Sequence, residues 1–149
     1  MRINMIKNKL KLIEENLDLV KKRFPNSLED FVHLDLIKDG IYKRIEDSIQ
    51  QIIKICSIIN SDLKLGIPSN RDDIISTLEE KKIISKELSQ KIKKMKSFRN
   101  FLVHRYGQIQ DEIAYNDIKN GFDDFILFKR EILKLIENLN KDSHSKNNG

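Results

Sequence analysis

The sequence predicts an all-α fold, a single-domain antiparallel bundle of about five helices. Apolar residues recur at intervals of three and four along most of the chain, which is the period of an amphipathic helix. Only two prolines and five glycines interrupt the 149 residues. An all-β fold would require a turn every ~8–12 residues, so this class is excluded. The balance of 39% hydrophobic and 34% charged residues is typical of a soluble helical domain with a charged surface.

The first predicted helix carries a heptad stripe along one face. Its members alternate in spacing between three and four: Ile3, Ile6, Leu10, Ile13, Leu17 and Val20. No long heptad follows that could serve as a partner, so we interpret the segment as one helix of a bundle and not as a coiled coil. Pro25 predicts that the helix ends near Phe24.

A short helical turn and a long helix are predicted next. Ser27 has the residue type of an N-cap, and acidic residues at 29 and 30 complement the helix dipole. The long helix then carries an apolar stripe made of Ile37, Ile41, Ile45, Ile49, Ile52, Cys56 and Ile59. It should end around Ser61, because Gly66, Ile67 and Pro68 are typical of a loop.

Three capped helices are predicted in the second half of the chain. Their N-caps are Asn70, Ser85 and Asp111, and the middle helix should end by Gly107. The first of these helices has Ile74, Ile75 and Leu78 on its apolar face, leading to Ile83 and Ile84. The second has Leu88, Ile92, Met95, Phe98 and Leu102, and the last has Ile118, Phe122, Phe125, Ile132, Ile136 and Leu139.

The sequence predicts one helical domain over residues 1–139. Residues 140–149 contain no large apolar side chain and are predicted to be a disordered tail. The single cysteine excludes an internal disulfide and a cysteine-based zinc site. Charged residues recur through the first 15 positions, and no apolar run approaches the ~18 residues that a membrane span needs. We therefore expect a cytoplasmic protein without membrane association.

One octet, residues 99–106, combines Arg, Asn, His and Tyr in an apolar setting. Asn100 and His104 are four residues apart and share a helix face. Arg99 and His104 are five apart, which separates them by ~140° on a regular helix. They converge only if the helix ends or kinks between them, or if two subunits each contribute a pair. Phe101, Leu102 and Val103 are expected to anchor the octet to the core.

These residue types suit the cleavage of a phosphodiester. The planar fork of Arg99 matches two phosphate oxygens and places positive charge where the transition state becomes negative. Histidine is the side chain that can exchange a proton near neutral pH, so His104 is suited to accept a proton from a ribose 2′-hydroxyl or donate one to the leaving oxygen. No carboxylate cluster of the two-metal kind lies near the octet in the sequence, so no metal and no cofactor are expected.

Four lysines lie on the helix that leads into the octet, at positions 91, 93, 94 and 96. They can form a basic path for RNA phosphates or a solvated helix face, and the sequence favours neither. They can also meet an acidic surface of a partner protein. Lys94, Lys96 and Arg105 are the RNA-binding candidates. His33 and His144 are interpreted as non-functional, because His33 lies in a short helical stretch without a partner and His144 lies in the predicted tail.

The pattern Arg-Asn-x-Leu-Val-His-x-Tyr resembles the signature of the HepT-like proteins of the HEPN superfamily. The similarity extends over roughly residues 3–137. It includes the heptad helix, Arg44 on the long helix, the Gly-Ile-Pro loop at 66–68 and Phe98 just before the motif. One position departs from the family, since the residue between the His and the Tyr is often acidic there and is Arg105 here.

The resemblance implies a metal-independent ribonuclease, the toxin of a type VII HepT/MNT toxin–antitoxin system. The catalytic pair of the family corresponds to Arg99 and His104, and its supporting polar residue to Asn100. Its tyrosine corresponds to Tyr106, which an MNT-type nucleotidyltransferase antitoxin silences by transferring AMP from ATP. The family also implies a homodimer in which two motifs face one RNA-binding cleft.

Two other functions are compatible with the sequence. A bundle of the same kind can bind nucleotide or RNA, or dock a nucleotidyltransferase, without cutting. The presence of both Arg99 and His104 favours the enzyme, because a scaffold needs neither. A structural coiled-coil protein is the third hypothesis, and the short heptad run and the later helix caps argue against it.

Overall fold

A computed structural model describes residues 1–67, 71–104 and 108–147 of the chain. Helices make up most of these residues, and no strand occurs among them. They are α1 (Ile3–Arg23), α2 (Leu28–Val32), α3 (Leu36–Asp62), α4 (Arg71–Glu80), α5 (Lys86–Val103) and α6 (Gln108–Asn147). The predicted all-α class is confirmed, and the short α2 brings the number of helices to six. No helix within this described part is long and apolar enough to cross a membrane.

Helices α1 and α3 form an antiparallel pair. Arg2, just before α1, lies 2.9 Å from the carboxylate of Asp62 at the end of α3. Asn16, in the second half of α1, accepts a 2.9 Å hydrogen bond from Arg44, which is in the first half of α3. The heptad stripe of α1 faces this partner, and its buried members are Ile6, Leu10, Ile13, Leu17 and Val20. The stripe is therefore a bundle contact, as the sequence predicts.

Serine side chains cap α2 and α5 as predicted. Ser27 Oγ accepts a 3.2 Å hydrogen bond from the backbone N–H of Asp30. Ser85 Oγ accepts a 3.0 Å bond from the N–H of Leu88 and donates a 2.6 Å bond to Glu131 of α6. The cap of α5 thus also fixes where that helix meets α6, because Glu131 holds the cap residue from the neighbouring helix.

The core is formed by the inner faces of all the helices, with α3 contributing the most buried residues. An aromatic cluster closes one end: Phe24 stacks on Tyr115 at 5.0 Å, and Phe31 lies 5.3 Å from the same ring. Tyr115 and Phe128 of α6 are buried, although the sequence prediction did not include them. Tyr115 extends the predicted apolar stripe toward the start of α6, and Phe128 fills the gap between Phe125 and Ile132.

Several local predictions are corrected by the structure. Ile37 is 42% exposed, because it lies in the first turn of α3 before the helix reaches the bundle. Ile83 and Ile84 lie between α4 and α5, where Ile84 is buried and Ile83 packs against the core, in line with the predicted apolar continuation. Asp111 does not cap α6, since this helix already begins at Gln108.

Other predictions concern the chain ends and the loops. The proposed cap Asn70 and the proposed helix stop Gly107 lie outside the described residues. Helix α6 continues through Asn147, past the predicted domain boundary at residue 139.

Candidate active site at the end of helix α5

The last turns of α5 hold the octet against the bundle through aromatic and aliphatic side chains. Leu102 is fully buried at 2% exposure. Phe98 and Phe101 are half-buried and stack with their ring centroids 6.0 Å apart. Val103 is 55% exposed, so the expectation that it helps to anchor the octet is wrong. The anchor is Leu102 with Phe101, and Val103 is part of the surface of the site.

Arg99 lies half-buried on the side of α5 that turns toward the core. Its Nε is buried and has no hydrogen-bond partner among the residues that the structure describes. A buried donor without an acceptor costs about 1–3 kcal/mol. Such a donor is satisfied when an oxyanion arrives, and the arginine fork is matched to phosphate oxygens.

His104 is the C-cap of α5, and its side chain is exposed. Its backbone N–H donates a 3.3 Å hydrogen bond to the carbonyl oxygen of Phe101. The helix therefore ends at Val103, between Arg99 and His104. At His104 the backbone leaves the helical conformation, with φ −107° and ψ 41°. Asn100 is exposed, one residue after Arg99.

The second half of the octet lies outside the described residues. Arg105 and Tyr106 belong to this part, so the RNA-binding candidate and the AMP acceptor have no described geometry. The structure resumes with α6 at Gln108.

The profile of the family described as "Ribonuclease HepT-like" matches residues 13–132 of the chain. This match spans most of the chain and contains α5 with its motif. The chain belongs to the HepT-like ribonuclease family. The family resemblance drawn from the octet is thereby confirmed.

Individual relatives agree with the family. The mRNA nuclease HepT of Shewanella oneidensis is 28% identical over 92 residues, which cover 62% of this chain and 69% of the relative. A crystal structure of a mutant of the toxin–antitoxin MntA–HpeT superposes with a TM-score of 0.80 at 24% identity, covering 88% of this chain and 98% of that one. This superposition shows that the two chains have the same fold.

A second solved structure is that of a tri-AMPylated Shewanella oneidensis HEPN toxin in complex with its MNT antitoxin. Its TM-score is 0.77 at 25% identity, and the match covers 87% of this chain and 97% of that one. The fold of this HepT-like chain thus matches that of the AMPylated toxin over nearly the whole length of that toxin.

The lysines of α5 in this HepT-like protein do not form one path. Lys91 bonds to Asp124 of α6 at 2.8 Å, and this bond raises the pKa of the lysine. Lys94 is exposed and lines a groove between α5 and α6, which also contains Phe98 and Phe101. We call this space of 840 Å³ the aromatic groove.

Burial raises the pKa of Asp117, which lines the aromatic groove, and Lys94 opposes that shift. The carboxylate and the lysine are therefore charge partners across the groove. The positive charge of Lys94 is therefore partly balanced within the groove.

Lys96 lies on the other side of α5, in a groove of 400 Å³ between α1, α3, α4 and α5. We call it the lysine groove, defined by Lys9, Gln50, Lys54, Ser57 and Lys96 over a floor of Ile53, Ile58, Ile74 and Ile75. Sequence reasoning missed it, because its lysines come from three separate helices. No local pattern brings such positions together before the bundle is formed.

His33, which the sequence prediction set aside, and Arg44 on the long helix both have structural partners. The ring Nδ1 of His33 lies 2.7 Å from the carbonyl oxygen of Glu29, and the residue is the C-cap of α2. The guanidinium of Arg44 bonds to Asn16. In the described ranges, no group of three or more His, Cys, Asp or Glu side chains has the arrangement of a metal site.

Proposed function

We propose that this chain is a toxin that cleaves RNA through Arg99 and His104 without a metal ion, as part of a toxin–antitoxin pair. Membership of the HepT-like ribonuclease family supports the ribonuclease activity. The observation that carries the proposal is the end of α5, where an arginine with an unpaired buried donor is followed by an exposed histidine beyond the last helical residue.

The proposed reaction needs one anion-binding group and one proton-transfer group. Arg99 binds the scissile phosphate and stabilises the charge that accumulates on its oxygens. The ribose 2′-oxygen attacks phosphorus as its proton leaves, and the 5′-oxygen of the next nucleotide departs as it gains a proton. His104 performs one of these two proton transfers. Asn100, on the exposed side of the same turn, supports substrate binding by hydrogen bonds.

The proposed assembly is a homodimer in which two copies of the motif face one RNA strand. Lys94, Lys96 and Arg105 are the proposed contacts to the RNA backbone. A second subunit would add another Arg99 and His104 to the cleft and supply the second proton-transfer group. The protein is expected to act in the cytoplasm, where its RNA substrate is found.

Tyr106 is the proposed point of control. The solved complex of a tri-AMPylated HEPN toxin with an MNT antitoxin is similar to this chain in fold, and Tyr106 occupies the tyrosine position of the motif. We expect an MNT-type nucleotidyltransferase to transfer AMP from ATP to the Tyr106 hydroxyl, with release of pyrophosphate. Mass spectrometry after incubation with that partner and ATP tests this. Modification elsewhere, with Tyr106 untouched, would contradict the assignment.

Expression of the wild-type chain beside His104→Ala tests the ribonuclease. The wild type should arrest growth and cleave RNA in the presence of EDTA, whereas His104→Ala should lose about 10²–10⁴-fold in cleavage rate. His33→Ala is the matched control, because His33 is exposed and bonds only within α2. Equal toxicity of the wild type and His104→Ala, or strict dependence on metal, would refute the mechanism. RNA binding without cleavage would indicate the non-catalytic binding module instead.

A further inference from the structure

Helix α1 carries a row of exposed apolar side chains outside the stripe that it buries in the bundle. Met5, Leu12 and Leu19 are 44–48% exposed and stand seven residues apart. Seven residues are close to two full turns of an α-helix, so the three side chains lie one above another on the same face. Single exposed apolar residues are common on protein surfaces, but an aligned row is the kind of surface that another protein covers. We call these three residues the outer row of α1.

Charged side chains accompany the outer row in a definite order. Lys7 and Lys11 come first along the helix, and Glu15 and Asp18 follow. At 100° per residue, these four positions share a sector of about 80° beside the outer row. All four are exposed, and none of them is in an ion pair within the described part of the chain. This flank is therefore basic and then acidic along α1.

A second copy of the chain, laid antiparallel on the first, fits the outer row. When a two-fold axis passes beside Leu12, this residue contacts its own copy, and Met5 contacts Leu19 of the second copy. Each such contact occurs twice, because the two surfaces of a two-fold interface are identical. A parallel arrangement would also align the row, so the apolar side chains alone do not decide the orientation.

The charges on the flank favour the antiparallel orientation. About a two-fold axis beside the middle of the row, Lys7 approaches Asp18 of the second copy, and Lys11 approaches Glu15. Lys22, in the same sector, then lies beside the neutral asparagine at position 4. A parallel arrangement would instead bring each lysine against its own copy, and like charges at that distance repel. The order of the charges is thus complementary to itself only when the two helices run in opposite directions.

This contact is a different one from the homodimer in which two motifs face one RNA. Glu14 lies 3.2 Å from Lys129, and Lys21 lies over the ring of Phe122, so α1 and α6 run antiparallel. Asp117, which lines the aromatic groove beside α5, is twelve residues before Lys129, or about 18 Å along α6. The octet follows farther in that direction. A two-fold axis beside the outer row would therefore place the two octets at opposite ends of the pair, roughly 35 Å or more apart.

We propose that the outer row of α1 is a self-association surface, on which a second copy of the chain docks antiparallel with the flanking lysines and carboxylates paired across the contact. The inference goes beyond the proposed function and does not depend on it. Three apolar side chains are few for a standard interface, so the expected complex forms at micromolar concentration and is not obligate. Both octets remain open in it.

Charge reversal in the full chain, followed by analytical ultracentrifugation, tests the contact. Lys11→Glu or Glu15→Lys alone should raise the dissociation constant about tenfold, because each change turns two attractive pairs into repulsive ones. The double variant Lys11→Glu with Glu15→Lys restores both pairs and should associate like the parent chain. Lys134→Glu is the matched control, since it makes the same charge change at an exposed position of α6 and should leave association unchanged. Circular dichroism checks that every variant is folded.

A short thiol crosslinker tests the orientation. Leu12→Cys should be crosslinked to its own copy, whereas Met5→Cys and Leu19→Cys should be crosslinked efficiently only when the two variants are mixed. The native Cys56 is buried and does not interfere. Equal self-crosslinking of all three variants would overturn the antiparallel arrangement.

Three further results would overturn the surface itself. The first is a parent chain that stays without self-association at high micromolar concentration. The second is a double charge variant that associates as weakly as the single variants. The third is a Leu12→Glu variant that self-associates like the parent but no longer binds a nucleotidyltransferase, because the outer row would then be a docking site for that enzyme.

Discussion

Lys38 Nζ lies 2.7 Å from Asp111 Oδ2, joining the first turn of α3 to the first turn of α6. The other carboxylate oxygen of Asp111 accepts a 2.5 Å hydrogen bond from the hydroxyl of Tyr42. Both charged side chains are largely shielded from solvent, at 18% and 13% exposure. This pair fixes the start of the helix that follows Tyr106, so it sets where the chain re-enters the bundle after the motif.

Asp111→Ala should destabilise the fold, because it removes the carboxylate that Lys38 and Tyr42 share as an acceptor in a shielded place. We expect a loss of about 1–3 kcal/mol in the free energy of unfolding. Chemical denaturation monitored by circular dichroism measures it. Asp47→Ala is the control, since the Lys43–Asp47 pair is exposed and should contribute less than about 1 kcal/mol. Equal losses in the two variants would contradict the structural role of Asp111.

Arg99→Lys should reduce RNA cleavage by about 10–100-fold while keeping the fold. The lysine retains the positive charge but loses the planar fork and the Nε donor that the structure leaves unpaired. Single-turnover cleavage of a defined RNA measures the effect. Arg44→Lys serves as the comparison, because Arg44 bonds to Asn16 on the surface and should leave the rate unchanged. A rate in Arg99→Lys equal to that of the wild type would remove Arg99 from phosphate binding.

Asp62 should make stability depend on pH at the acidic end. Hydrogen bonds from Arg2, together with its charge, hold the pKa of Asp62 below its usual value. The stabilisation is complete above the unfolded pKa of about 3.9 and is lost as the pH falls toward the lowered folded value. The free energy of unfolding, measured with urea at pH 6 and at pH 3, should therefore change less between these two pH values in Asp62→Asn than in the wild type. Asp18→Asn is the control, because Asp18 is an exposed carboxylate on α1. If Asp62→Asn kept the pH dependence of the wild type, the prediction would be refuted.

Cys56 should resist thiol reagents in the folded protein. Burial raises the pKa of its thiol to about 12, with the charge of Lys96 acting in the opposite direction. The thiolate that reacts with alkylating or disulfide reagents is therefore scarce at pH 8. We expect no reaction in the native state and complete reaction in denaturant, measured by mass spectrometry. Rapid labelling of the native chain would show that α3 opens at this position.

The sequence determined much of the fold, because amphipathic spacing and caps are local properties. The stripe of α1 and the caps Ser27 and Ser85 need only near neighbours, and they are found where the residues predict them. Predictions for Ile37 and Val103 were wrong for one physical reason. Each depends on which surface another helix covers, and spacing along one helix does not contain that information.

The sequence by itself determined the residue types of the candidate site. Arg99, Asn100 and His104 lie together in one motif, and their side chains have the functional groups that the proposed reaction needs. Only the tertiary structure decided how they are presented: α5 ends before His104, the Arg99 Nε is buried, and Lys94 and Lys96 face different grooves. The lysine groove likewise exists only when α1, α3 and α5 meet. Burial and convergence are properties of packed helices, because the residues that create them are far apart in the chain.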